Sequence, residues 1–310
     1  MKLTIEPWAP EYGAPIDADA LAPSDADVDV DVEVAAASWA PLDPAPNNRP
    51  APCVEFVDGV RRIDARVWLT AAGGATRIGI CASWAAGITR CQDSDAHITR
   101  VEVRRGLFGP GDAPALTTRA GTYVPMAVAG DDVEQLSLGL QQRMGELETL
   151  VAAESRSAAE HTLVVLDGPL TGRQSIPGAL GYVKTHRVSY LPESVSFVVP
   201  RLAPGQRTPI FVTQTSWSRY SWYLRLPGPE GHPWAGIVRC EASADRALAE
   251  VRMLADRAAL TLPRFASAPH KDPRAPQNLY PIAGLERELR RRLGDAAWIY
   301  RALRSAVAAA

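Results

Sequence analysis

The sequence predicts an α/β protein, a mixed sheet with helices packed against it. Strand-like apolar stretches occupy residues 54 to 105 and recur after residue 161, while residues 131 to 159 switch to a helical period of three to four. Two apolar runs, "VEFVDGVRR" (54 to 62) and "HTLVVLDGPL" (161 to 170), each lead into Asp-Gly. Antiparallel strands, a long helix, a buried strand and then more strands and helices suit one layered sheet.

Taken in order, residues 1 to 50 form an N-terminal extension rich in Pro and Asp. Within it "ADVDVDVEV" (26 to 34) alternates strictly, which predicts an edge strand with one acidic, solvated face. No glycine-turn loop of calcium-binding spacing accompanies it. A single domain is expected over 51 to 310. It opens with the strand-like runs "CVEFVD", "RRIDARVWLT", "ATRIGICASWAAGI" and "HITRVEVRR", whose short connections favour antiparallel neighbours. Val133, Leu136, Leu140, Met144, Leu147 and Val151 then recur at helical spacing. A strand ending at Asp167 follows, and after it "GALGYVKTHRVSYL", "TPIFVTQTS", "SWYLRL" and "WAGIVRCEA". A helix is predicted over 243 to 260. The loop "PRFASAPHKDPRAPQNLYP" leads to a last helical region containing "GLERELRRRLGD". The ribonuclease H-like sheet is one member of this class, and pattern alone does not single it out.

Composition narrows the function classes. With 310 residues, 46% hydrophobic, the chain is long enough for a substantial core. No run approaches the roughly 18 apolar residues of a membrane helix. The first residues lack the basic start and apolar core of a signal peptide, so a cytoplasmic protein with reduced thiols is expected. The four cysteines (53, 81, 91 and 240) have no metal-binding spacing. A net charge of −2 leaves any nucleic-acid footprint local. Only Lys2, Lys184 and Lys271 of the 33 basic residues are lysines, so each lysine stands out against arginine. The five histidines, His161 and His186 among them, are scattered without ligand spacing. The aromatic run "SWSRYSWYLRL" reads first as core or interface packing, with base stacking as the alternative.

Asp58 has two readings. Asp-Gly is a common hairpin turn, which makes it punctuation. Asp167 resists that reading, because "PLTGRQSIPG" follows as a loop and not as a returning strand. The end of a buried strand is where α/β sheets place ligands. If the long helix packs back along the sheet, the strand 163 to 167 rises roughly 16 Å. The helix must then be retraced by about eleven residues to reach that level. That lands near Glu148, about 40° from the direction of Met144, while Glu146 points about 200° away, to water. Glu154 lies near the stripe but too low. Asp58, Glu148 and Asp167 would form an all-oxygen site suited to Mg²⁺ or Mn²⁺. Two such ions serve phosphodiester hydrolysis. Lys184 in "GYVKTH", a compact charge on a strand close after Asp167, is a candidate phosphate partner or a surface lysine.

At these residues the chain resembles the NurA nuclease family. The resemblance spans about 50 to 305 and rests on "FVDGVRR", the helix carrying Glu148, "VVLDGPL", "GYVKTH", "WAGIVRCE" and "DPRAPQNLYPIAGLERELRRRLGD". It implies a ribonuclease H-like core, a homodimer, a HerA-type hexameric ATPase as partner, and DNA as substrate. It also implies Mn²⁺-dependent 5'-3' exonuclease and single-strand endonuclease action in DNA-end processing, for repair or defence. Asp58, Glu148 and Asp167 match the family's metal ligands, expected to hold two ions, and Lys184 matches its strand lysine. Arg61, Arg62, Lys271 and Tyr280 are the expected DNA contacts. One departure is visible. Many members carry a histidine in the last helix after Tyr-Pro; here Tyr280-Pro281 is followed by none, leaving Glu288 or Asp272 as replacements. That gap makes an adaptor or clamp on the ATPase ring the alternative to an active nuclease.

Overall fold

The computed structural model describes residues 22–70, 74–130, 132–153, 162–176, 178–186, 188–228 and 231–309. The beginning of the N-terminal extension with Lys2, the expected helix tail with Glu154, and His161 lie outside them.

The strands are β1 (Ala22–Pro23), β2 (Asp27–Asp29), β3 (Cys53–Thr70), β4 (Thr76–Gln92), β5 (Asp95–Gly109), β6 (Leu116–Thr118), β7 (Gly121–Ala127), β8 (Thr162–Asp167), β9 (Ala179–Val183), β10 (Val188–Ser189), β11 (Phe211–Gln214), β12 (Ser218–Arg225) and β13 (Ile237–Ser243). The α-helices are α1 (Val133–Ala153), α2 (Glu193–Ser196), α3 (Leu248–Thr261), α4 (Tyr280–Leu293) and α5 (Ala296–Ala308). Among the described residues, eleven strands form one mixed sheet in the order β2-β11-β12-β13-β9-β8-β3-β4-β5-β7-β6. The connections from β3 to β4 and from β4 to β5 are too short for a crossover, so these neighbours run antiparallel. β8 and β9 pair in parallel. The run β9-β8-β3-β4-β5 is the ribonuclease H-like order. In chain order α1 lies between β7 and β8.

Sequence reading split the segment 53–70 at Asp58. The chain does not turn there; β3 continues for 18 residues, and Asp58 and Gly59 are both inside it. The hairpin alternative is therefore excluded.

The chain divides into two compact units that interleave along the sequence. The first comprises residues 1–56, 90–96 and 157–283. Its core packs α3 against the inner faces of β9, β12 and β13, through Val251, Leu254 and Ala258 on Tyr182, Trp222 and Cys240. Of the aromatic run expected to be core or interface, Trp222 and Tyr223 are fully buried, while Trp217 and Tyr220 are only partly so. The acidic segment adds β2 antiparallel to β11 as an edge strand, shorter than expected. Asp27, Asp29 and Asp31 are exposed as anticipated. Glu33 departs from that face: it accepts from both terminal nitrogens of Arg207 (2.8 and 2.9 Å) and from the Ile210 amide. Asp256 on α3 takes the Nε of the same guanidinium at 2.8 Å. An arginine this buried requires such partners, because an unpaired charge there would be costly.

The second unit comprises residues 57–89, 97–156 and 284–310. Alternation along β3 sends Val60 and Gly59 to opposite faces. Val60 packs with Leu285, Leu289 and Leu293 of α4, whereas Gly59 lies under Met144 and Glu148 of α1. The two helices thus flank the sheet. The end of α4 is held firmly. Gly294 takes the left-handed conformation (φ +86°) that ends helices, and Arg62 donates to its carbonyl at 2.7 Å. Arg105 donates to the Leu293 carbonyl at 3.1 Å. Two cations at a helix C-terminus complement its partial negative charge. All four cysteines are free and buried. No helix among the described residues is long and apolar enough to cross a membrane.

Candidate metal centre

β8 delivers Asp167 at its last residue. The next residue, Gly168, has φ +93°, a conformation that side chains resist and glycine accepts. Its amide donates to the Tyr182 carbonyl (2.8 Å) and its carbonyl accepts from the Tyr182 amide (3.0 Å). Glu241 on β13 fixes the outgoing loop by accepting from the Leu170 amide at 2.9 Å. The carboxylate of Asp167 is therefore presented by a rigid turn, on the strand end where sequence reading put it.

Lys184 follows the last residue of β9. Its ammonium donates to Asp167 Oδ2 at 2.6 Å and to Asn278 Oδ1 at 3.0 Å. Both ends of the ion pair are largely buried, with side-chain exposures of 11% and 13%. The surface-lysine alternative does not hold. Asn278 in turn donates its Nδ2 to Asp272 Oδ2 at 2.9 Å.

Asp58 is buried in the first half of β3, and its Oδ1 accepts from the Gly59 amide at 2.8 Å. Asp58, Asp167 and Glu286 each offer one carboxylate oxygen, and these oxygens lie within 4.8 Å of one another. Asp58 is buried, and the other two are partly exposed. Three carboxylates so close repel unless protons or cations intervene. An all-oxygen donor set is the kind that hard divalent cations such as Mg²⁺ and Mn²⁺ select.

Glu286 was not anticipated. Sequence reading put Glu148 in the third place, and Glu148 is indeed buried and level with this part of β3. It stands over Gly59, however, and alternation points Asp58 to the other face, the one covered by α4. The last helix does supply a carboxylate, but not Glu288. That side chain is bound by Arg291 (2.6 and 2.7 Å) and Arg292 (2.7 Å), whose hydrogen bonds hold its carboxyl down to about 2. Asp272 also serves elsewhere: it accepts from the Arg274 amide and from Asn278 inside its own loop.

The four expected DNA contacts are placed differently from one another. Arg61 is exposed on β3. Arg62 is committed to Asp64 Oδ1 (2.8 Å) and the end of α4, which assigns it a structural task. Lys271 is exposed and stands 5.5 Å from the centre of the Tyr280 ring. The Tyr280 hydroxyl accepts from the Ala268 amide at 3.0 Å, bracing the same loop.

No protein-family model matches the chain, and no curated protein matches it. Among solved structures it is similar to the crystal structure of the NurA nuclease from Sulfolobus solfataricus. The match has 11% sequence identity and a TM-score of 0.42, and it covers 82% of this chain and 84% of that one.

Proposed function

We propose that this chain is a divalent-metal-dependent nuclease that hydrolyses DNA phosphodiesters, with Asp58, Asp167 and Glu286 holding the metal and Lys184 acting beside it. The observation that carries the reading is the closeness of the three carboxylate oxygens, within 4.8 Å of one another. A cation bound there would polarise a phosphate oxygen and strengthen a bound water as nucleophile. The protein's own part is to hold the donors in place. Asp167 is fixed by the Gly168 turn, and Asp58 is set within a long continuous strand. Lys184 offers a compact charge to the negative charge that grows on phosphate during attack. A carboxylate on the helix where the resemblance anticipates histidine favours the enzyme over the adaptor.

Arg61, Lys271 and Tyr280 are proposed to contact the DNA backbone or bases on either side of the scissile bond. The preference for Mn²⁺, the use of two ions, 5'-3' exonuclease and single-strand endonuclease action, the homodimer, the HerA-type ATPase and a cytoplasmic role in DNA-end processing all rest on the resemblance alone. Purified protein incubated with linear and single-stranded DNA, with Mn²⁺ or Mg²⁺ and then with chelator, tests the reading. Cleavage that needs metal supports it. Intact DNA under every metal condition, alone and with the ATPase, would overturn it.

A further inference from the structure

We propose that Asp272 and Asn278 are positioning residues that aim the Lys184 ammonium. The idea deepens the nuclease reading and rests on it for its effect on cleavage. A carboxamide can turn its oxygen or its nitrogen toward a neighbour, and the two choices have opposite consequences for an ammonium. Here Asp272 makes the choice. Its carboxylate only accepts, so the Asn278 Nδ2 faces it at 2.9 Å and the Asn278 oxygen is left to face Lys184 at 3.0 Å. Asp272 is itself anchored, its Oδ1 accepting from the Arg274 amide at 2.8 Å. Asp272 and Asn278 are 5% and 0% exposed, so water does not compete for these bonds. The neighbouring backbone is fixed too, because Tyr182 on β9 donates its hydroxyl to the Gln277 carbonyl at 2.6 Å.

The relay gives Lys184 two anchors of different fate. Its bond to Asp167 Oδ2 competes with any cation that takes the same carboxylate. The Asn278 oxygen lies outside the group of three carboxylates, so it retains the ammonium at the site when Asp167 turns to metal. A freed N–H then points toward phosphate.

The logic predicts an unusual mutational pattern. In Asp272→Asn the new amide donates to Asn278, whose amide must turn over and present N–H to an ammonium. In Asn278→Asp two carboxylates face each other across one hydrogen-bond length. The exchange Asp272→Asn with Asn278→Asp restores every donor–acceptor pair: residue 278 accepts from Lys184 and from residue 272, and residue 272 still accepts from the Arg274 amide.

Two measurements on the full chain test this. The first is the ¹⁵N ammonium spectrum of metal-free protein, simple because the chain has three lysines. Wild type should give one slowly exchanging signal, removed by Lys184→Met. Each single substitution at 272 or 278 should broaden it away, and the exchange variant should bring it back. The second is Mn²⁺-dependent cleavage, where each single change should lower kcat on the order of 10-fold with KM for DNA little altered. In a Lys184→Met background the change at 272 should have no further effect, because coupled residues are not additive. Thermal melting identifies any variant that fails to fold, and Asn278→Ser serves as a milder second probe of the 278 position. An unchanged Lys184 signal in folded Asp272→Asn, or an equal loss of kcat with and without Lys184, would overturn the proposal. If the ammonium results appear as expected but wild type cleaves no DNA, the relay stands and the nuclease reading falls.

Discussion

Glu148 stands directly over Gly59: a Cβ built on that glycine would lie 3.1 Å from the Glu148 Cδ and 3.0 Å from the Met144 Cγ, with Oε1 closer still. The glycine after Asp58 therefore clears space for a helix, in a strand that does not turn. Gly59→Ala should cost about 1–3 kcal/mol, the usual range for overpacking a filled site. The melting temperature measures it. A variant as stable as wild type would mean that Glu148 moves aside freely.

Glu286 and Glu288 are two residues apart and should behave oppositely. Glu286→Gln removes a carboxylate from the group of three and should weaken Mn²⁺ binding by at least roughly 10-fold. Stability without metal should hold or rise, since like charges are relieved. Glu288→Gln should leave metal binding as it was, because its carboxylate is occupied by Arg291 and Arg292. Titration calorimetry on both variants decides; equal losses would remove Glu286 from the site.

The ion pair Lys184–Asp167 separates two tasks that one activity assay merges. Asp167→Asn should abolish both Mn²⁺ binding and cleavage. Lys184→Ala should keep metal binding, because an ammonium is no ligand, while turnover falls on the order of 10²-fold. Lys184→Arg should recover only part of it, the planar fork being too wide for the same point. Wild-type cleavage by Lys184→Ala at every metal concentration would take the lysine out of the chemistry.

Acid should weaken the fold through His186. Burial pushes this imidazole down to about 4 from an ordinary value of 6.5, its Nε2 lying 3.1 Å from the Ile237 carbonyl. The unfolded chain thus binds the proton more readily, so stability is complete above about pH 6.5 and declines as pH falls toward 4. Below that it declines no further on this account. The loss attributable to His186 is on the order of 3 kcal/mol. His186→Phe should flatten the dependence of melting temperature on pH across that window. An equally steep profile in the variant would assign the acid sensitivity to other groups.

Much of this was legible in the sequence because local rules agreed with the fold. An apolar run of strand length, a carboxylate and then a glycine identified Asp167, and Gly168 does require its positive φ. Apolar spacing identified α1, and Glu148 is on its buried side. Two things were illegible. Asp-Gly is a turn signal by composition, and nothing local says that a helix 85 residues later needs the glycine's empty space. The choice between Glu286 and Glu288 was equally hidden, since both flank the stripe of Leu285, Leu289 and Leu293. One signal was present: Arg291 and Arg292 stand three and four residues after Glu288, the spacing of ion pairs on an exposed helix face. Arg62 was unreadable for a different reason, its partners Leu293 and Gly294 being more than 200 residues away.

The four buried thiols give this protein a built-in clock. Burial pushes Cys81 up to about 12 and Cys91 up to about 11, so neither carries appreciable thiolate in the native fold. A thiol reagent must wait for the chain to open. Since Cys53, Cys81 and Cys91 lie on β3 and β4, and Cys240 on β13, the rate at which each becomes labelled reports how often its own strand is exposed. Comparing those rates with and without Mn²⁺ would show which strands a bound ion fastens.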